Sequence, residues 1–587
     1  MRFFISSVAL LTISLFTLAP TFNLALFGDD WLTIFRYLAE LGPKSSGEWN
    51  HITYFLTSHG PEDMFNGLMN NIFGFNAFYY YLTSYILRIT ASISLYFLSF
   101  YLTKNKLASF FAALFFSITT IGLETTIWVF NAPSYVSITF FCFFLYFYIK
   151  SLTENKLSIA SFIFFALSYI AMSIRMHGLL PFVFATEAIF LFSHFKQKST
   201  KKELFLKSFL RISIFISILL ILSVLFIAKI GFPAALSLNP QFNMIIKSVN
   251  DGKLDFISIP ILTFGEMIIP LTLQIYFDRI DALSEAIEVV ITLYLISLAI
   301  LLIVKYCCGF NKSFLIRSLS IMALWSIFII IVYLNNKLVF SLKTHLVSLG
   351  IGGYIISILI SLILELRKQK NLLYASLFIS LVWSIVSFYA AWMWGNAALF
   401  GAAHRYLIVS AVGVSLIFAI LIDIGKNLQN KIILFTLLSV IIILNIISSR
   451  NYINQNLITH NQKGVNKIWS TLSNIEEIKK SNERFFFYFE GDGSNQTILS
   501  DSITFGFSFH MGILYNITEE EETPGAITDW DDLVAATTTG KTKVNYVLKG
   551  KTINPDLVYA YHLEGKDRLI DITDLARSKL KEIKSQY

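Results

Sequence analysis

The sequence predicts a polytopic α-helical membrane protein with about thirteen transmembrane helices and a small C-terminal α/β domain on the outer side. Three observations predict it. Of 587 residues, 55% are hydrophobic and only 14% are charged, which leaves too little polar surface for a soluble chain of this length. Apolar runs of about 18 residues or more recur through positions 1–449, each long enough to cross roughly 30 Å of hydrocarbon. Lysines and arginines gather in the short loops between those runs, where they set topology, and from Arg450 the chain turns polar with mixed charge.

The elements follow in order. With the N-terminus inside, the run RFFISSVALLTISLFTLAPTFNLALF exceeds the apolar stretch of about 7–15 residues typical of a signal peptide and reads as helix one. Residues 28–76 are then a first outer loop. Further helices are expected at about 77–102, 107–121, 133–149, 157–174, 178–194 and 209–230. This threading puts TKNK, Lys150, Lys156 and KQKSTKKELFLK inside, as the positive-inside rule requires, and GLETTIWVFNAP and RMHG outside. Positions 231–285 hold the apolar stretch ISIPILTFGEMIIPLTLQIYF. Pro260, Pro270, Gly265 and Glu266 argue against a lipid-facing span there. Reading it as a long outer loop with interfacial helices keeps KYCCGFNKSFLIR and RKQK inside. Helices at about 286–305, 313–334, 340–366, 372–391, 406–424 and 431–448 complete the count and leave the C-terminus outside.

Residues 450–587 read as the α/β domain. HNQKGVNKIWSTLSNIEEIKKS has helical apolar spacing. RFFFYFEGDGS reads as a buried strand ending in a turn, and VNYVLKG and LVYAYHLEG as strands. DWDDLVAATTTGK looks like a capped helix, ITDLARSKLKEIKSQY like a closing one, and EEEETPG at 519–525 like a solvated loop. The net charge of +8 sits in topology loops and does not suggest nucleic acid. Cys142, Cys307 and Cys308 form no metal or disulfide framework and read as packing residues.

Polar groups at membrane depth or at helix mouths are costly and are functional candidates for that reason. In this threading they collect on the outer face: Asp29 and Asp30 after helix one, Glu124, Arg175 with His177, Glu266, and His404 with Arg405. Each has a plainer reading. An Asp at a helix start is often a cap, although two in succession exceed capping needs. Arginines can snorkel to headgroups, histidines can be hydrogen-bonded packing residues, and Trp31 and Trp128 can anchor at the interface. Taken together, carboxylates that can accept a proton from a hydroxyl or hold a divalent cation, facing Arg and His that can stabilise a departing phosphate, suit group transfer from a lipid-linked phosphate.

Four stretches carry a family resemblance: FGDDW at 27–31; FNAFYYYLTSYILRITASISLYFLSFYLTKNK; ITTIGLETTIWVFNAPSYVSITFFCFFLYFY, with Glu124 and Trp128 in place; and HRYLIVSAVGVSLIFAIL, with Arg405 and Tyr406 in place. SYIAMSIRMHGLLPFVF is a weaker fifth, with Arg175 where the family has lysine and Pro181 retained. In order and sidedness they resemble the GT-C membrane glycosyltransferases that use polyprenyl-phosphate sugars, in the branch of protein O-mannosyltransferases and aminoarabinose transferases. The likeness covers about 1–450, and it departs from the family where Ala132 and Tyr135 replace the usual arginine and aspartate.

The resemblance implies inverting transfer of a sugar from a polyprenyl-phosphate donor to a hydroxyl acceptor on a protein, a lipid or a surface glycan at the outer face. Asp30 would be the catalytic base with Asp29 its partner, and Glu124 a second acid. Arg405, His404, Arg175 and His177 would hold the donor phosphate. A magnesium or manganese ion on Asp29 and Glu124 is compatible with some relatives and not required by others. Short basic loops point to a bacterial cytoplasmic membrane. Two alternatives stay open: an O-antigen-type polymerase or ligase, disfavoured by the short late loop at 392–405, and a lipid-linked glycan flippase or transporter, disfavoured by the scarcity of polar residues at depth and the lack of a repeat.

Overall fold

The computed structural model describes all residues except 1, 43–50, 58, 173–175, 193–200, 231–248, 253, 271–282, 335–341, 368–371, 395–401, 481–482, 541–551 and 587. The chain forms two compact units. One comprises Met1–Ala19, Tyr85–Thr125 and Pro133–Tyr452. The other comprises Pro20–Ser84, Thr126–Ala132 and Ile453–Tyr587 and groups residues 28–76, expected as the first outer loop, with the C-terminal region.

The first unit is a bundle of apolar helices. Among the described residues, eight helices are long and apolar enough to cross a membrane, from Ala77–Thr103 to Leu428–Thr459. The remaining expected crossings fall on apolar helices of 10–17 residues, such as Lys106–Ile118 and Ser410–Asp423. The shortening has a local cause at Lys106–Ile118. Asn105 caps its start by accepting from the Leu107 and Ala108 amides. At its end, the fully buried Arg88 donates to the carbonyls of Phe116 (3.3 Å) and Thr119 (2.7 Å), and Asn445 accepts from the Thr119 hydroxyl and the Thr120 amide. Arg88 thus satisfies carbonyls that a helix end leaves without partners.

Of the expected outer loop at 231–285, helix Asp255–Ile268 is described, and it packs against helices Leu342–Leu366 and Leu372–Trp394. Gly265 and Gly352 make this approach close. A Cβ on Gly265 would lie 1.9 Å from the Ser348 carbonyl oxygen, and one on Gly352 would lie 1.9 Å from that of Ile261. Small residues allow helix backbones to touch in this way.

One buried ion pair had no signature in the sequence. Arg211 grips Glu187 with two bonds, Nε to Oε1 at 2.6 Å and Nη2 to Oε2 at 2.9 Å, while Ser208 and Tyr148 donate to the same carboxylate. Both charged side chains are almost wholly buried. Removing one partner strands the other, so Arg211→Ala is expected to destabilise the bundle by about 3–5 kcal/mol. Replacing both with Met should recover much of that loss. Thermal unfolding in detergent checks both expectations.

The second unit carries a four-stranded sheet in the order β2-β1-β3-β4. Its strands are β1 (Phe486–Gly491), β2 (Gly525–Ile527), β3 (Val558–Glu564) and β4 (Arg568–Asp571). β1 runs parallel to β2 and β3, and β4 pairs antiparallel with β3. The unbroken aromatic run in β1 is explained by burial of both faces. Phe487 and Phe489 pack with Ile468, Trp469 and Phe507, whereas Phe486 and Tyr488 pack with Leu533, Ala576 and Leu580. Helix Gln462–Leu472 buries Val465, Ile468, Trp469 and Leu472, the helical stripe expected of it. Asp529 caps Trp530–Thr538 by accepting from the Asp532 amide. The expected strand VNYVLKG lies outside the described residues.

Candidate functional site

The acid pair belongs to the second unit. Gly28, with φ +56°, ends an irregular segment, and Asp29 and Asp30 open helix Asp29–Leu41. Acids in a first turn complement the positive end of a helix, but their surroundings differ. Asp30 is fully buried. Its Oδ2 accepts from the Phe27 amide at 3.2 Å and its Oδ1 from the Phe130 amide at 2.9 Å. Burial pushes its carboxyl well above the ordinary carboxylate range, the two amides pull it back in part, and Asp29 pushes it up again. Asp30 therefore pins segment 126–132 to the helix start. Asp29, by contrast, is half-buried. Of the two aspartates, only Asp29 keeps partial exposure.

The flanks of the pair are aromatic. Trp31 is 3% exposed and stacks on His510 at 3.6 Å, so its role is packing within the unit and not anchoring at an interface. Phe27 stacks with His460 (3.8 Å) and with Trp128 (5.7 Å). Burial lowers the pKa of His460 to about 4 and that of His510 well below its ordinary value, so both rings are neutral at physiological pH.

A second cluster lies in the first unit. The Gly122 and Glu124 amides donate to the carbonyls of Ala402 and Ala403, which aligns segment 122–125 with 402–408. Gly122 is needed there: its φ is +66° and a Cβ would lie 2.5 Å from Ile408 backbone atoms. This alignment brings Glu124 to Arg405, whose Nη1 is 3.5 Å from Oε2 and whose amide donates to the same oxygen at 3.2 Å. Tyr452 donates to Oε1 at 3.1 Å. The Arg405 and Glu124 side chains keep 22% and 24% exposure, and the guanidinium lies 5.6 Å from the centre of the Tyr406 ring. An Arg in a loose, partly exposed ion pair can turn to an anionic ligand.

The other phosphate-binding candidates are placed as follows. His404 Nδ1 accepts from the Tyr406 amide at 3.3 Å and its ring stacks on Tyr406, which makes it a cap of the turn Arg405–Leu407. His177 is half-buried near Tyr169. Arg175 lies outside the described residues. Sequence reading brought Glu124 and Arg405 together but missed Tyr452, which nothing local marks within the polar end of a long helix.

Both Glu124 oxygens are engaged by Arg405 and Tyr452. Among the described residues, no group of three or more His, Cys, Asp and Glu side chains comes together.

No protein-family model matches the chain, and no curated protein matches it. Among solved structures, the chain is similar to the archaeal oligosaccharyltransferase AglB from Archaeoglobus fulgidus in complex with an inhibitory peptide and a dolichol-phosphate. That match has 13% identity and a TM-score of 0.42, and covers 95% of this chain and 69% of that one. A second structure of the A. fulgidus oligosaccharyltransferase, in complex with Zn and sulfate, matches at 12% identity and a TM-score of 0.41, covering 95% and 67%. Likeness at these scores carries neither a substrate nor a site across.

Proposed function

We propose that this chain is an integral membrane glycosyltransferase of the GT-C type. It moves a sugar from a polyprenyl-phosphate donor to a hydroxyl acceptor at the outer face of the membrane, with inversion. The observation that carries the reading is the meeting of Glu124 and Arg405, 281 positions apart, in a partly exposed ion pair. The motifs FGDDW and HRYL and the membrane-spanning helices support it.

The residue roles follow from the surroundings of each group within its own unit. Arg405, with His404 beside it, stabilises the charge on the departing phosphate. Glu124 and Tyr452 orient the Arg405 backbone and guanidinium. Asp29, the partly exposed acid, is the base, and Asp30 is its anchor; this exchanges the roles expected from sequence. In the reaction the acceptor oxygen bonds to the anomeric carbon as the bond from that carbon to the phosphate oxygen breaks. The hydroxyl proton passes to Asp29 and the polyprenyl phosphate departs with the electron pair. One displacement inverts the anomeric centre.

The test is direct. Purified protein is supplied with a panel of polyprenyl-phosphate sugars, release of polyprenyl phosphate is measured, and the anomeric configuration of any product is read by NMR. Release with an inverted product is expected. No release from any donor, or a retained configuration, sinks the reading.

A further inference from the structure

Within the second unit, the segment that carries the acid pair is held by a contact that admits no side chain. Gly28 and Gly506 both have positive φ, +56° and +85°. A Cβ on Gly506 would lie 2.5 Å from the Gly28 carbonyl oxygen, and a Cβ on Gly28 would overlap the Phe505 ring. The Gly28 amide donates to the Phe505 carbonyl at 3.2 Å. Glycine alone combines this backbone geometry with so close an approach. The contact falls one residue before Asp29.

The same segment is held on either side of that contact. The Ala25 amide donates to the His460 carbonyl at 2.8 Å, and Leu24 bridges Asn461. Phe27 stacks on His460, and two residues beyond Asp29 the Trp31 ring stacks on His510, which in turn lies 4.0 Å from Trp469. C-terminal residues thus hold the backbone before Asp29 and the Trp31 ring after it, while Asp29 itself stays half-buried.

We infer that Gly506, together with Phe505 and His510, is a positioning residue for Asp29, so that the C-terminal region is a working part of the transferase and not a separate module. The inference rests on the proposed role of Asp29. A base must lie within hydrogen-bond reach of the proton it takes. A methyl group on Gly506 would lie 2.5 Å from the Gly28 carbonyl oxygen, so the junction between residue 506 and the start of the acid pair must shift to admit it.

The experiment uses the full chain in lipid nanodiscs. Gly506→Ala is expected to lower kcat roughly 10- to 100-fold, the scale of a misplacement of about 1 Å, and to leave the donor KM within about twofold. It should also change the rate of Asp29 modification by a water-soluble carbodiimide at fixed pH, read by mass spectrometry. Phe505→Ala removes the ring beside Gly28 without adding an atom, and is expected to show the same pattern at smaller size if Gly506→Ala folds poorly. In an Asp29→Asn background, Gly506→Ala should add no further loss, because both changes act through one group. An unaltered labelling rate in both variants, or losses that multiply in the double variant, overturns the inference even where the wild type turns over. A wild type that releases no polyprenyl phosphate overturns the proposed function instead, and the labelling rate then decides the positioning role alone.

Discussion

Asp29→Asn is expected to reduce transfer by about two to four orders of magnitude, the range for removal of a general base, with little change in the temperature of unfolding. Asp30→Asn is expected to behave in the opposite way. Both Asp30 oxygens accept backbone amides, from Phe27 and Phe130. An asparagine can serve one of them but must point its own NH2 at the other. The cost is that of a buried donor left without a partner, about 1–3 kcal/mol, and activity falls only as far as the loop loosens. Turnover and thermal unfolding measured side by side on the two variants separate base from anchor. Full turnover by Asp29→Asn, or a collapse of activity in a stable Asp30→Asn protein, would reverse the assignment.

Arg405→Gln should be nearly as damaging to activity. If the guanidinium stabilises the departing phosphate, its loss costs about 10²–10³ in kcat, as for removal of one donor to a developing oxyanion. Stability should change by about 1 kcal/mol or less, since the pair with Glu124 is partly exposed and 3.5 Å long. Glu124→Gln keeps an acceptor for the Arg405 amide or for Tyr452 but not the negative charge, and its effect on kcat should be smaller. Comparing a donor panel tests the role: Arg405→Gln ought to lower turnover of every polyprenyl-phosphate sugar alike, because the phosphate is common to them all. A loss confined to one sugar would assign Arg405 to sugar recognition.

Much of the architecture was legible because it depends on local rules. Apolar runs of membrane length, basic loops, the stripe Val465–Ile468–Trp469–Leu472 and the Asp529 cap are all patterns within a few turns of chain. The aromatic run of β1 was read correctly as a buried strand, because a strand covered on both faces needs no polar alternation. Helix Asp255–Ile268 was harder. Gly265 meets Ser348 some eighty positions away, and no window on the sequence contains that contact.

For the site, the sequence by itself determined which residues were worth weighing: two adjacent acids at a helix start, Glu124 in a short turn, and Arg405 before a late helix. A charge beside an apolar run is conspicuous because it is costly there, and that cost is visible without coordinates. Which aspartate is buried was decided only by tertiary structure, since burial depends on whether the Phe130 amide, 100 positions away, arrives to take the carboxylate. Tertiary structure likewise decided that Tyr452 donates to Glu124, that Arg211 holds Glu187, and that Gly506 must lack a side chain for Gly28 to sit where it does. Composition and spacing register the free energy of placing a group in lipid or in water. The partner that satisfies the group, and so assigns its role, is chosen by the fold.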